Sequence, residues 1–337
     1  MRQRAFRRAA ATAGVALVLV SAALAADTGG GTIIYTYQGL TWTMNSDGSG
    51  KASLPSGVGG TPSRSLHGGH RWFLQTRDIE GETYPNGKPR REVFAVRDDG
   101  NASFTKQLTD QPALECHAVS LSSNLGWKPG DGHISMVARR WSGGAVVEGG
   151  VYEAEILFDG NGDVTGLAAQ PGTPAIAVSL VVWSQHYFAG ELAPDVFEMD
   201  WAPDGAQIAY ARVSTMELRI ANTSGGGQAL VSGTVARAPA WSPDGTKIAF
   251  GSATGISTIK PDGTGLKQII LHQLIKKGMY TVGFTRWSPT GSHVAYLRSA
   301  TSGIPREQDV YRAAADGTQQ TNLTGGISGS AAPVSWR

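Results

Sequence analysis

The sequence predicts an all-β fold, a six-bladed β-propeller of four-stranded antiparallel blades, with blade one completed by the C-terminal strand. Three observations carry that prediction. Trp201-Ala-Pro-Asp-Gly205, Trp241-Ser-Pro-Asp-Gly245 and Trp287-Ser-Pro-Thr-Gly291 repeat one turn, each with an aliphatic residue seven positions after the Trp and an aromatic one two further on. A second turn signal recurs at Asp47-Gly48, Asp99-Gly100, Asp159-Gly160, Thr223-Ser224, Asp262-Gly263 and Asp316-Gly317. The first unit lacks an opening strand, and the end of the chain supplies one. Such recurrence marks a repeat architecture, and two hairpins in each unit make four short strands in a meander.

Residues 1–25 stand apart from the repeats. Arg2, Arg4, Arg7 and Arg8 precede an apolar run from Ala9 to Leu24, and Ala23-Leu24-Ala25 offers the small residues read by a signal peptidase. The expectation is a secretory signal peptide over 1–25 with cleavage before Ala26. A propeller then occupies 26–337, in a periplasmic or extracellular protein with no stable membrane insertion. A retained anchor is the other reading, because the apolar run is near the shortest length that spans a bilayer.

The chain has 29 Lys and Arg against 27 Asp and Glu, a net charge of +2. The leader takes four Arg with it, leaving 25 against 27, or −2. That balance argues against nucleic acid as the main partner, since such domains carry a basic excess or a basic stripe. Cys116 is the single cysteine, so no intrachain disulfide forms and the core must hold the fold.

The units follow in order. Gly31-Thr32-Ile33-Ile34-Tyr35 matches Thr246-Lys247-Ile248-Ala249-Phe250, so blade one starts at its second strand; Trp42 and Met44 precede its Asp-Gly turn. Gly50-Lys51 is read as a hairpin turn, because Ala52 lacks the hydroxyl and Asn45 the glycine that a phosphate-binding loop requires. In blade two Ser65 replaces the Trp ahead of Trp72 and Leu74, and in blade three Trp127 precedes Ile134 and Met136. Blades four to six carry the full motif. Ala332-Pro333-Val334-Ser335-Trp336 resembles Ala238-Pro239-Ala240-Trp241 and is expected to close blade one. The 312 residues after position 25 give about 52 per unit, a length that suits one blade. Asp-Gly is preferred where both central residues of a hairpin need positive φ, so turns of that kind are expected.

This Trp-Ser-Pro-Asp-Gly, Ile-Ala-Phe and Asp-Gly cadence resembles the TolB-like, WD-repeat-like (PD40-type) propeller blades of bacterial envelope proteins. The resemblance covers nearly all of 27–337 and implies a binding scaffold rather than one activity. TolB itself carries an α/β domain before its propeller, whereas here the first strand is expected within a few residues of the cleavage position. A full TolB role is therefore not implied. Prolyl-oligopeptidase-type enzymes share the blades, but the Gly-x-Ser-x-Gly string of their hydrolase domain is absent from this sequence.

Few motifs suggest chemistry. His67-Gly-Gly-His70 has a spacing that can chelate a metal, yet it falls in blade two's first turn. Asp159, Asn161 and Asp163 alternate like a Ca²⁺ loop, but Val164 and Gln170 stand where that loop needs Gly and Glu. No cofactor is expected, with Ca²⁺ at Asp159 as the alternative. A metal-dependent polysaccharide lyase or hydrolase would require at least three of His67, His70, His117, His133, His186, His272 and His293 in one cleft.

The long insertions, 77–91, 139–150, 171–194 and 298–308, fall on the face opposite the repeated turns, and insertions on one face of a repeat protein often mark its binding surface. The expected ligand-binding residues there are Arg77, Tyr84, Arg91, Arg139, Trp141, Trp183, His186, Tyr187, Arg298 and Arg306. Aromatic and Arg side chains carry much interface energy. The sequence reading is a non-catalytic, monomeric exported propeller that binds a protein or envelope component at this face and the central channel.

Overall fold

The computed structural model describes residues 30–110, 114–116, 125–168, 179–183, 196–212, 215, 217–222, 227–232, 236–271, 274–275, 278–300, 308–325 and 329–337. The expected signal peptide lies outside the described residues, as do His117, His186, Tyr187, His272, Arg306 and the turn at Thr223-Ser224.

Six antiparallel sheets form the six blades of a β-propeller. Blade one runs Ala331–Trp336, Thr32–Tyr37, Leu40–Asn45 and Ala52–Ser53, so the last strand of the chain does complete it. Blade two runs Thr61–Pro62, Trp72–Thr83, Pro89–Arg97 and Lys106–Gln107. Blade three is larger: Leu125–Trp127 and Leu114–Cys116 both pair with His133–Ser142, and Val164–Leu167 and Ser179–Trp183 both pair with Ala145–Phe158. Blade four runs Val196–Trp201, Gln207–Arg212, Glu217–Asn222 and Gly227–Val231; blade five runs Arg237–Trp241, Ile248–Ser252, Gly255–Ile259 and Lys267–Leu271. Blade six runs Gly278–Trp287, His293–Ala300, Gln308–Ala314 and Thr321–Asn322, with Leu274–Ile275 added at its inner edge. Each first strand touches the next around the axis, so the ring is closed.

The motif spacing is a statement of register. Trp127 faces Ile134, Trp201 faces Ile208, Trp241 faces Ile248, Trp287 faces Val294 and Trp336 faces Ile33. Each Trp is at least nine-tenths buried, and the apolar residues of one blade pack on those of its neighbour. Trp72 and Leu74 meet Trp127 and Ile134 between blades two and three; Ile33 and Trp336 meet Ala295 and Val310 between blades six and one. The core is therefore six wedges between blades. Four of the motif indoles also bind across blades or to the opening segment: Trp127 Nε1 donates to Thr61 O, Trp201 to Ser135 Oγ, Trp287 to Ala240 O and Trp336 to Gly30 O.

Three local expectations are corrected. Ser63, not Ser65, faces Trp72: Pro62 pairs with Phe73, Ser63 N donates to Trp72 O, and the longer turn is pinched by a His67–His70 backbone pair. The second turns at Asp47, Asp99, Asp262 and Asp316 place only the glycine at positive φ. Each aspartate instead accepts from the backbone N–H two residues on, as in Ser49 N to Asp47 Oδ1, and Gly48 N closes on Asn45 O, a type I turn followed by a left-handed glycine. In blade three that glycine is Gly162, φ +83, so Asn161-Gly162 rather than Asp159-Gly160 holds the equivalent place.

Candidate functional site

A strand displays successive side chains on opposite faces. Since the motif Trp points between blades, the residue before it points at the axis, and Gly126, Asp200, Ala240, Arg286 and Ser335 all line one cavity of about 500 Å³. Pro129, Pro203, Pro243 and Pro289 of the repeated turns form its collar. The cavity therefore opens where the short turns lie.

Four guanidinium groups reach this cavity: Arg64, Arg71, Arg286 and Arg337. Backbone carbonyls position three of them. Arg64 Nε donates to Trp127 O at 3.0 Å, Arg71 Nη1 to Ser63 O at 2.6 Å, and Arg286 Nε and Nη1 to Val334 O and Thr285 O at 2.6 and 2.7 Å. The half-buried Arg337 side chain makes no hydrogen bond or ion pair among the described residues, and its Nε is buried without a partner. Burial and the like charges of Arg64 and Arg71 push its pKa down to about 9 against the pull of Asp200 and Asp131. Burial likewise lowers Arg71 and Arg286.

The acidic groups nearby are mostly engaged. Asp200, the carboxylate in the cavity wall, lies 3.6 Å from Arg64 Nη2 and accepts from Trp241 N at 2.8 Å. Asp131, fully buried, accepts from the amides of Arg64 and Ser65 and meets His67 Nε2 at 3.2 Å. Glu198, also buried, accepts from Ala238 N, and its burial raises its pKa. Trp241 Nε1, in the cavity wall, is buried with no partner, unlike its four counterparts.

Of the residues expected on the long-loop face, the side chains of Arg77, Tyr84, Arg91 and Arg298 are described. Insertions 77–91 and 139–150 are outward extensions of the second and third strands of blades two and three. Tyr84 is 3% exposed, and its hydroxyl both donates to Arg91 O and accepts from Arg91 N, so it braces its own hairpin rather than offering a stacking surface. Arg91 pairs with Asp78 at 2.7 Å, Arg77 lies over Phe94 and Arg298 over Tyr311. The side chains of Arg139, Trp141 and Trp183 fall outside the described ones. A second cavity on this face, about 400 Å³ beside Gln38, Gly39, Gly60 and Gln75, has no charged residue in its wall.

The metal candidates have contacts of their own within the fold. Asp159 Oδ1 accepts from the amides of Asn161 and Asp163, which lowers its pKa, and Asp163 pairs with Arg97 at 3.0 Å. His67 stacks on Phe158 at 4.1 Å, whereas His70 turns to Asp98 at 2.9 Å. Gly68 is required because a Cβ there would sit 1.8 Å from Asn161 O. Among the described residues, which include His67, His70, His133 and His293, no three His, Cys, Asp or Glu side chains group as metal ligands.

No known family's sequence profile matches this chain, and no curated protein matches it. Solved structures do. TolB from Acinetobacter baumannii superposes with a TM-score of 0.54 at 13% identity, over 90% of this chain and 67% of that one. A GH74 xyloglucanase from Xanthomonas campestris gives 0.51 at 12% identity, over 88% and 46%. The periplasmic gluconolactonase of Pseudomonas aeruginosa gives 0.50 at 12%, over 87% and 81%. At these identities the likeness is one of fold, shared by TolB and by proteins named for hydrolytic activities.

Proposed function

We propose that this protein is a non-catalytic binding propeller, exported to the periplasm or beyond, that engages a protein or envelope component as a monomer. The ligand enters the channel mouth at the repeated-turn face. One observation carries this reading: four arginines and one carboxylate line a 500 Å³ cavity collared by prolines. Among the described rim residues, by contrast, Arg91 pairs with Asp78 and Tyr84 braces its own hairpin. Export rests on the basic and apolar pattern of residues 1–25. No helix of the described residues is long and apolar enough to cross a membrane.

The test is site-specific photo-cross-linking in the cells that make the protein. A photoreactive residue replaces the exposed Pro243 or Pro289 at the mouth, or Arg91 or Arg298 at the rim. Adducts are expected from the mouth positions. Adducts formed only from the rim would reject this placement.

A further inference from the structure

The mouth chemistry narrows what its ligand must present, and this step rests on the reading of the mouth as the binding surface. Arg337 is the centre of the argument. A guanidinium held near Arg64 and Arg71, with a buried Nε and no carboxylate, carbonyl or hydroxyl partner among the described residues, is an electrostatic debt inside the fold. Asp200 cannot settle it, since one of its oxygens takes Trp241 N and the other faces Arg64. Asp131 and Glu198 are held by backbone amides, and Asp98 by Arg71 N and His70.

Two further features fit one occupant. Arg64, Arg71 and Arg286 are pinned by carbonyls, so their charge is positioned before any ligand arrives. Preorganised donors in a partly enclosed cavity bind a charge more strongly than mobile ones on an open surface. Trp241 is 7% exposed, lines the same cavity and holds an indole N–H with no acceptor. Both unmet needs in this wall are donors.

The geometry points to an oxyanion site: the ligand presents a carboxylate or phosphate group to Arg337 and Arg64, flanked by Arg71 and Arg286. Planar guanidinium groups match the paired oxygens of such groups, and charge-assisted hydrogen bonds of this kind are the stronger ones. The group is the tip of a larger ligand, since the cavity has room for several residues or sugar units behind the collar.

Isothermal titration of the purified protein at constant ionic strength tests this with succinate, inorganic phosphate and neutral succinamide. Saturable binding of succinate, phosphate or both is expected, and which of them binds identifies the carboxylate or the phosphate. Arg337→Gln or Arg64→Gln weakens it by about tenfold or more, the effect of losing one charge-assisted hydrogen bond, while Arg91→Gln at the rim leaves it unchanged. Arg337→Lys, which keeps the charge but not the fork, retains part of the affinity. Thermal melts establish that each variant is folded. Succinamide binding as well as succinate, binding indifferent to Arg337 and Arg64, or no saturable binding of either anion would overturn the oxyanion site. Cross-linking at Pro243 and Pro289 would then still decide, separately, whether the mouth is the binding surface.

Discussion

The two faces of this propeller differ in what their charges do. At the long-loop rim Arg91 has Asp78, Arg77 covers Phe94 and Tyr84 is buried against the backbone of Arg91. At the short-turn mouth Arg337 has no partner among the described residues, and Trp241 keeps an unused donor. Loop length marks where the chain can vary, because extended hairpins carry their own pairing. Chemistry collects where six inner strands converge, because alternation sends the neighbour of every motif Trp to one axis.

That contrast can be broken experimentally, beginning with the strand that joins both halves of the mouth. Removing residues 331–337 takes the inner strand from blade one together with Trp336 and Arg337. The cooperative unfolding transition is expected to disappear, as followed by circular dichroism in urea. A retained two-state transition would contradict the closure. Next, Trp201→Ala opens a buried cavity between blades three and four and is expected to cost about 3–5 kcal/mol. Arg91→Ala, at an exposed rim pair, costs about 1 kcal/mol or less. Equal losses in denaturant melts would erase the distinction between wall and rim.

A finer comparison lies within the mouth. Trp287→Phe loses the bond to Ala240 O and is expected to cost about 1 kcal/mol or more. Trp241→Phe removes an N–H that has no partner and is expected to leave stability unchanged or slightly higher. Denaturant midpoints compare the pair directly.

The smallest effect is pH-dependent. Burial raises the pKa of Glu198 above its usual 4.5, so between that value and the raised one the folded chain binds more protons than the unfolded chain. Stability therefore falls as pH rises through that interval. Glu198→Gln keeps an acceptor for Ala238 N and avoids the buried charge, so it is expected to melt higher than wild type at pH 7 and equally at pH 4. A variant that melts lower at pH 7 would show that the pull of Arg286 and Arg237 outweighs burial.

Much of the fold was legible because the repeat encodes register. The seven-residue offset from Trp201 to Ile208 is a cross-strand pair, and the tail from Ala332 to Trp336 announced its place by resembling Ala238 to Trp241. Blade two departs from the repeat's spacing by two residues, and nothing in the sequence marks the His67–His70 pinch that lengthens its turn. The site was less legible. Insertions drew attention to the rim, yet whether Arg91 is free or paired depends on Asp78 across a hairpin. The sequence signal is the charge beside the motif: Arg286 before Trp287, Arg337 after Trp336, and Arg64 after Ser63, which stands in the motif Trp's place in blade two. Its meaning emerges only when strands from different blades meet at the axis, which no local pattern states.

The nine tryptophans include Trp241, Trp287 and Trp336 in the mouth wall and Trp42, beside Tyr37 in blade one and outside that wall. The most direct measurement is therefore the indole N–H region of a ¹⁵N-correlated NMR spectrum, assigned by Trp→Phe variants, during addition of whichever of succinate or phosphate binds. The account predicts that Trp241 shifts first and furthest while Trp42 stays still. Shifts that leave Trp241 unmoved and affect Trp42 would put the binding surface away from the mouth and contradict it.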